Sequence, residues 1–332
     1  QDKGTVRLIL NNASISNTTT APIKVLDAKK VILTLADNTT NTITDSSRLS
    51  TEEDYSAAIY SKEDLIINGN GTLNVNAGYR NGIKSTDDCI IVSGTLNITS
   101  TEDGIIGKDL CGIVAGDINI NAGSDGIKST YDTDTTKGNV IIEGGNITIK
   151  ASNDGIQAEN ILVINDGTIN IKTNNGAADT TQTHIDNMDM GRGGFGFNNN
   201  KTTTTTDDTS ESRKGIKAGN MLIINDGDIT IDSDDDSVHC NSVIYIYGGT
   251  INAATGDDGV HADDLLTVNG GTINITQCYE GLEADDIVIN DGDISVVSSD
   301  DGINSSDGSI TINGGNLLIN ASGDGLDANG SI

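Results

Sequence analysis

The residues most able to do chemistry in this chain are carboxylates in register. Acid pairs at Asp235-Asp236, Asp257-Asp258 and Asp300-Asp301 recur beside two acid-Gly-Leu-acid pieces, Glu280 to Glu283 (EGLE) and Asp324 to Asp327 (DGLD). Of the 49 acids only 9 are Glu, so 40 are Asp. Short carboxylates among Asn residues and turn carbonyls make hard, flexible oxygen sites, which suit Ca²⁺ with its roughly 6–8 oxygen ligands at about 2.3–2.6 Å. The expected ligands are Asp235, Asp236, Asp257, Asp258, Glu280, Glu283, Asp300, Asp301, Asp324 and Asp327. The competing use of such an Asp is to bond a backbone N–H in a turn. His239 and His261 are 22 residues apart and read either as a solvated edge pair or as ligands of a transition metal.

Spacing decides what must position these groups. The glycine of an acid-Gly-aliphatic motif falls at 82, 104, 126, 155, 215, 259, 281, 302 and 325, with Ser237 in the same place. The steps are 22, 22, 29, 60, 22, 22, 22, 21 and 23. Residues 131–137 account for the step of 29, and an insert over 176–213 accounts for the step of 60. Within 258–275 (DGVHADDLLTVNGGTINI), Val260 and Ala262, Leu266 and Val268, then Ile273 and Ile275 alternate with polar residues. Each pair marks a short strand with one buried face, and Asp, Asn and Gly supply the turns. Three such strands cannot bury their apolar faces alone, but stacked copies can.

The expected fold is therefore all-β: a right-handed parallel β-helix with about 22 residues and three short strands per coil, stacked at about 4.8 Å. Residues 1–57 are less regular and read as first coils and an N-terminal cap. Residues 58–332 read as regular coils carrying the low-complexity insert, and the far end reads as unfinished at Ile332. Stacking would bring like charges together at a cost of roughly 3 kcal/mol per neighbouring pair at an effective dielectric of about 20. From Ala218 onward there are 21 acids and no Lys or Arg, so that cost calls for added cations.

Composition narrows the function. There are 19 Lys+Arg against 49 Asp+Glu, a net charge of −30, which disfavours nucleic acid as a partner. With 40 Gly, one Pro and abundant Asp, Asn and Thr, a helical protein is disfavoured. No run of 18 apolar residues exists, so no membrane span is expected. The chain begins at Gln1 rather than Met and reads as a trimmed secreted protein. Cys89 and Cys111 are 22 residues apart and read as stacked inward thiols filling the core, with a disulfide between them left open; Cys240 takes the place held by Ala262 and Ala284.

The runs at 234–241 (DDDSVHCN), 257–264 (DDGVHADD), 278–286 (CYEGLEADD), 300–305 (DDGINS) and 324–332 (DGLDANGSI) resemble the bacterial secreted carbohydrate-binding β-helix family, which is similar to pectate lyases in fold. The resemblance implies an extracellular protein with Ca²⁺ in the helix edge that binds plant polysaccharides, including cellulose and acidic sugars. The pectate-lyase comparison also implies a place to look for chemistry. Such lyases take a proton alpha to a uronate carboxylate with a Lys or Arg base while Ca²⁺ acidifies it. Lys217, one coil before Asp235 and Asp236, and Lys128, beside Asp103, Asp125 and Asp154, are the candidate bases. Lys217 precedes the acidic cluster along the axis, unlike the lyase pattern.

Sugar could be held in three ways. Tyr245 and Tyr247 alternate with inward Ile244 and Ile246, so both should face out as a stacking platform or as a shield for the sheet. Phe195 and Phe197 in the insert would anchor the loop or clamp ligand. Acidic glycans need either Ca²⁺ bridging carboxylate to carboxylate or the basic patch of Arg80, Lys84, Lys108 and Lys128. The expected function is a calcium-loaded, non-catalytic polysaccharide-binding protein for cellulose or pectic glycans such as polygalacturonate. A calcium-dependent uronate lyase and a surface adhesin or spacer are the alternatives.

Overall fold

The computed structural model describes residues 4–46, 55–178 and 212–332. His184, Phe195, Phe197 and most of the 176–213 insert lie outside the described residues. One rung shows the plan: strands Asn81–Ser85, Asp88–Ile91 and Thr95–Ser100, each paired in parallel with its equivalent on the next rung. Repetition produces three parallel ladders, which make the chain a parallel β-helix. The third ladder is a 12-stranded sheet from Ser14–Asn17 to Asn316–Ala321. The first and second join into one 22-stranded sheet, because Val260–Val268 and Leu282–Ile289 each run through both. The ladders already include Thr5–Leu10, Ser14–Asn17 and Ile23–Val25, so the irregular N-terminal sequence is wound into the same rungs.

The alternation in sequence becomes an inside and an outside. Ile83, Ile105, Ile127, Ile156 and Ile216 stack in the first ladder, Leu96, Ile118, Ile147 and Ile169 in the third, all buried. Cys89 and Cys111 pair in register inside, both as free thiols, and burial pushes the Cys111 thiol up to about 12. Cys240 stacks between Ala218 and Ala262. Asn side chains bond one another along the outside, as between Asn225 and Asn165 (2.7 Å) and between Asn313 and Asn290 (2.8 Å).

The motif glycine is a packing requirement. A Cβ at Gly259 would meet Ile275 Cδ1 and lie 2.5 Å from the Gly281 carbonyl oxygen. Ser237 occupies this place one rung earlier, where the residue in register with Ile275 is Ala253. The smaller Ala253 side chain thus leaves room for the Ser237 Cβ that Ile275 denies at Gly259. No helix among the described residues is long and apolar enough to cross a membrane.

Candidate functional site

The file of acids runs along the edge just before the first ladder. Several members of the file each use one oxygen to hold the next rung. Asp103 Oδ1 accepts from Asp125 N (3.1 Å), Asp125 Oδ1 from Asp154 N (3.0 Å), Asp236 Oδ1 from Asp258 N (3.1 Å) and Asp258 Oδ1 from Glu280 N (3.1 Å). The backbone-capping and ligand readings of these residues are thus compatible, because capping leaves the second oxygen on each.

What faces that second oxygen changes along the axis. On the N-terminal rungs it is Lys128, whose Nζ lies 2.5 Å from Asp125 Oδ2. In the middle it is Lys214, which stands in the acid column itself. Its Nζ donates to Asp235 Oδ1 (2.9 Å) and Asp236 Oδ2 (2.8 Å), and Asp236 also meets His239 Nδ1 at 2.8 Å. Burial would lift the Asp236 carboxyl, but Lys214, then His239 and His261, outweigh it and hold Asp236 far below the usual carboxylate range. Burial would likewise lower Lys214, but Asp236 and Asp235 keep it above an ordinary lysine.

Farther along, no Lys or Arg among the described residues takes this place, and His261 faces the acids instead. His261 Nδ1 lies 3.4 Å from Asp258 Oδ2 and 3.3 Å from Glu283 Oε2. Burial pushes Glu283 up to about 8, with Asp258 adding to it, and pushes Glu280 up to about 7. Asp258 is raised by burial and by the neighbouring Asp236 and Asp257. The stack therefore holds carboxyls that resist ionisation.

Of the expected ligands, Asp235, Asp236 and Asp257 bring ligand atoms within 4.8 Å of one another, as do Asp258, His261 and Glu283, and Asp236, His239 and His261. Glu280 adjoins them, its Oε2 taking Asn304 Nδ2 at 2.9 Å. Among the described residues, Asp300, Asp301, Asp324 and Asp327 do not join such a set. Burial, then Asp300 and Asp327, raise Asp301, whose Oδ1 accepts from Asp324 N (2.6 Å). A further convergent trio, Asp64, Asp87 and Asp88, sits at the turn between the first and second ladders. The sequence signal was there in two acid-rich turns 24 residues apart.

The candidate bases and sugar contacts fall as follows. Lys217 shares the outward column with His239 and His261, and its Nζ donates to Ser212 Oγ at 3.2 Å. Lys128 would be lowered by burial, but Asp125 more than offsets this and its ammonium is stabilised. Burial lowers Lys84, which donates to Ser56 Oγ (3.2 Å). Arg80 pairs with Glu102 at 3.6 Å, and Lys108 lies over the Tyr131 ring. Lys84 and Lys128 share a column with Ile106 between them, while Arg80 and Lys108 lie outside it. Tyr245 and Tyr247 stack with centroids 6.4 Å apart on the outer face of the second ladder, and Tyr247 is 53% exposed.

A family model described as carbohydrate-binding domain-containing protein matches residues 1–259 and 257–332. A carbohydrate-binding domain-containing protein of Acetivibrio thermocellus is 39% identical over 95 residues, which are 27% of this chain and 33% of that relative. The chain therefore aligns with about a third of the relative's length. A solved polysaccharide lyase-like protein from C. thermocellum, a gadolinium derivative, superposes with a TM-score of 0.50 at 36% identity, over 51% of this chain and 70% of that one.

Proposed function

The chain belongs to the carbohydrate-binding domain-containing protein family, and on that premise we propose that it is an extracellular, calcium-loaded protein that holds plant-wall polysaccharide without cleaving it. The observation that carries this reading is the stack of buried Asp258 and Glu280 with half-buried Glu283, which no Lys or Arg side chain neutralises among the described residues. Ligand atoms of Asp258, Glu283 and His261 lie within 4.8 Å of one another, and Glu280 and Asn304 beside them add oxygens of the kind a hard cation takes. Asp235, Asp236 and Asp257 are the second site, where Lys214 shares the load and calcium competes with it.

The bound ions then do more than stabilise rungs. A surface at −30 repels polygalacturonate. A calcium ion with coordination positions open to solvent bridges protein carboxylate to uronate carboxylate, whereas Tyr245 and Tyr247 offer a neutral face to cellulose. The placement of the lysines favours binding over lyase chemistry. Lys128 is held as an ammonium and Lys217 lies on the rung before the acids. The test is a pull-down on cellulose and polygalacturonate with calcium or chelator, while unsaturated product is followed by ultraviolet absorbance. Calcium-dependent retention on polygalacturonate without product is expected. Product formation would establish a lyase, and no retention on either glycan would leave a spacer or adhesin.

A further inference from the structure

The loop 131–137, which lengthens its rung to 29 residues, builds a cleft of about 250 Å³ against the turn between the first and second ladders. Tyr131, Asp132, Asp134 and Thr135 form the loop wall, and Glu159, Asn160, Asn220 and Asn241 from three successive rungs form the other. The loop is held in place. Lys137 Nζ reaches Asp109 Oδ2 at 2.5 Å, Lys137 and Lys108 lie 4.8 and 4.9 Å from the Tyr131 centroid, and Asp134 Oδ1 accepts from Thr136 N at 3.0 Å. Buried Asn160 ties the loop to the rungs, donating from Nδ2 to the carbonyls of Thr135 and Lys137 and accepting from Asn220 Nδ2 at 2.6 Å.

We infer that this cleft is a subsite for one neutral hexosyl residue of a β-glucan chain. The inference rests on the polysaccharide-binding reading and deepens it. The amide bonds fix orientation and leave functional groups over. Asn241 spends one end of its amide on His239 Nε2 (2.9 Å) and keeps the other free, and Asn220, having donated Nδ2, retains Oδ1 to accept. With the Glu159 carboxylate on the same wall, these groups match a vicinal diol, each hydroxyl of which both donates and accepts. A volume below the roughly 300–1,000 Å³ of drug-sized sites suits one ring.

Charge selects among sugars. Asp132, Asp134 and Glu159 would repel a uronate, and no basic side chain is among the described residues lining the cleft. The three acids do not form a set of converging ligand atoms, which argues against a cation as occupant. Tyr245 lies four residues from Asn241 on the same rung, roughly 13 Å along an extended chain, so a glucan leaving the cleft can pass onto the tyrosine pair. The neutral and acidic glycans thus use different parts of the surface.

The test is calorimetric titration of the full chain in calcium with cellohexaose and, separately, with oligogalacturonate, for the wild type and for Glu159→Ala and Asn220→Ala. The expected result is that each variant binds cellohexaose at least about tenfold more weakly, with oligogalacturonate binding unchanged in both and the melting temperature unchanged in Glu159→Ala, whose side chain is exposed. Equal cellohexaose affinity in wild type and both variants overturns the subsite. So does a loss of calcium heat in Glu159→Ala, which would make the cleft a cation site. Wild type that binds oligogalacturonate but not cellohexaose overturns the cleft alone, whereas wild type that binds neither overturns the parent reading as well.

Discussion

Lys214 places its ammonium 2.8 Å from Asp236 Oδ2, in the rung where every neighbouring member of the column except Lys214 itself is an acid. One lysine therefore serves as the cation of the middle rungs. Among the described residues the acids beyond it have no Lys or Arg partner, and this boundary separates a half of the file that carries its own cations from a half whose carboxyls face His261.

Removing that lysine should be costly. Lys214→Ala leaves Asp236, fully buried, without its main counter-charge, and losing one partner of a buried pair costs about 3–5 kcal/mol. Urea melts in chelator should show a loss of that size, and millimolar calcium should recover part of it by occupying the Asp235, Asp236 and Asp257 site. An unaltered midpoint would remove Lys214 from its assigned role.

The raised carboxyls set a pH dependence. Glu283 at about 8 and Glu280 at about 7, both lifted first by burial from an ordinary 4.5, make the metal-free folded chain hold more protons than the unfolded chain in between. Their contribution is complete below the unfolded value and is lost as pH rises through about 7 to 8. Chelated protein should melt higher near about pH 5 than near about pH 8.5, and Glu283→Gln should flatten the difference. A chelated protein that gains stability over that range would contradict the assignment.

Calcium must displace those protons, so binding near neutral pH should release them. Titrations in two buffers of different ionisation enthalpy should give apparent heats that differ in proportion, and the difference should shrink above about pH 9. Identical heats in both buffers would mean that the ion does not enter the Asp258–Glu283 stack.

The repeat glycine offers a check on packing. Gly259→Ala drives a Cβ into Ile275 and the Gly281 carbonyl, and overpacking of this kind costs about 1–3 kcal/mol. Gly259→Ala should cost less in an Ile275→Ala background than in the wild type, and that difference is the recovery, since Ser237 is tolerated where Ala253 stands opposite. Thermal denaturation of the two single variants and the double variant measures it, and no recovery would mean that the carbonyl contact dominates.

The fold was legible because inward residues recur at a fixed step. Ile83, Ile105 and Ile127 announce their own stacking, and Ser237 with Ala253 shows the rule being kept by compensation. The irregular strands near Thr5 and Ser14 follow the same ladders without a strict period, since only the inward faces need match. The acids were legible as a column, but not which were neutralised: Lys214 stood visibly in the file, and its distance to Asp236 depends on side-chain reach rather than register. The cleft was the least legible feature. Its walls combine an insertion with Asn160, Asn220 and Asn241, and asparagine is common at every turn of this chain, so nothing local distinguishes these three.

The most direct test of the calcium account is a crystal of the full chain grown in millimolar calcium and measured for anomalous scattering. The account predicts a calcium peak bounded by Asp258, Glu283 and His261 or Glu280, with a second near Asp235, Asp236 and Asp257. A well-ordered acid file with no peak at either place would contradict it.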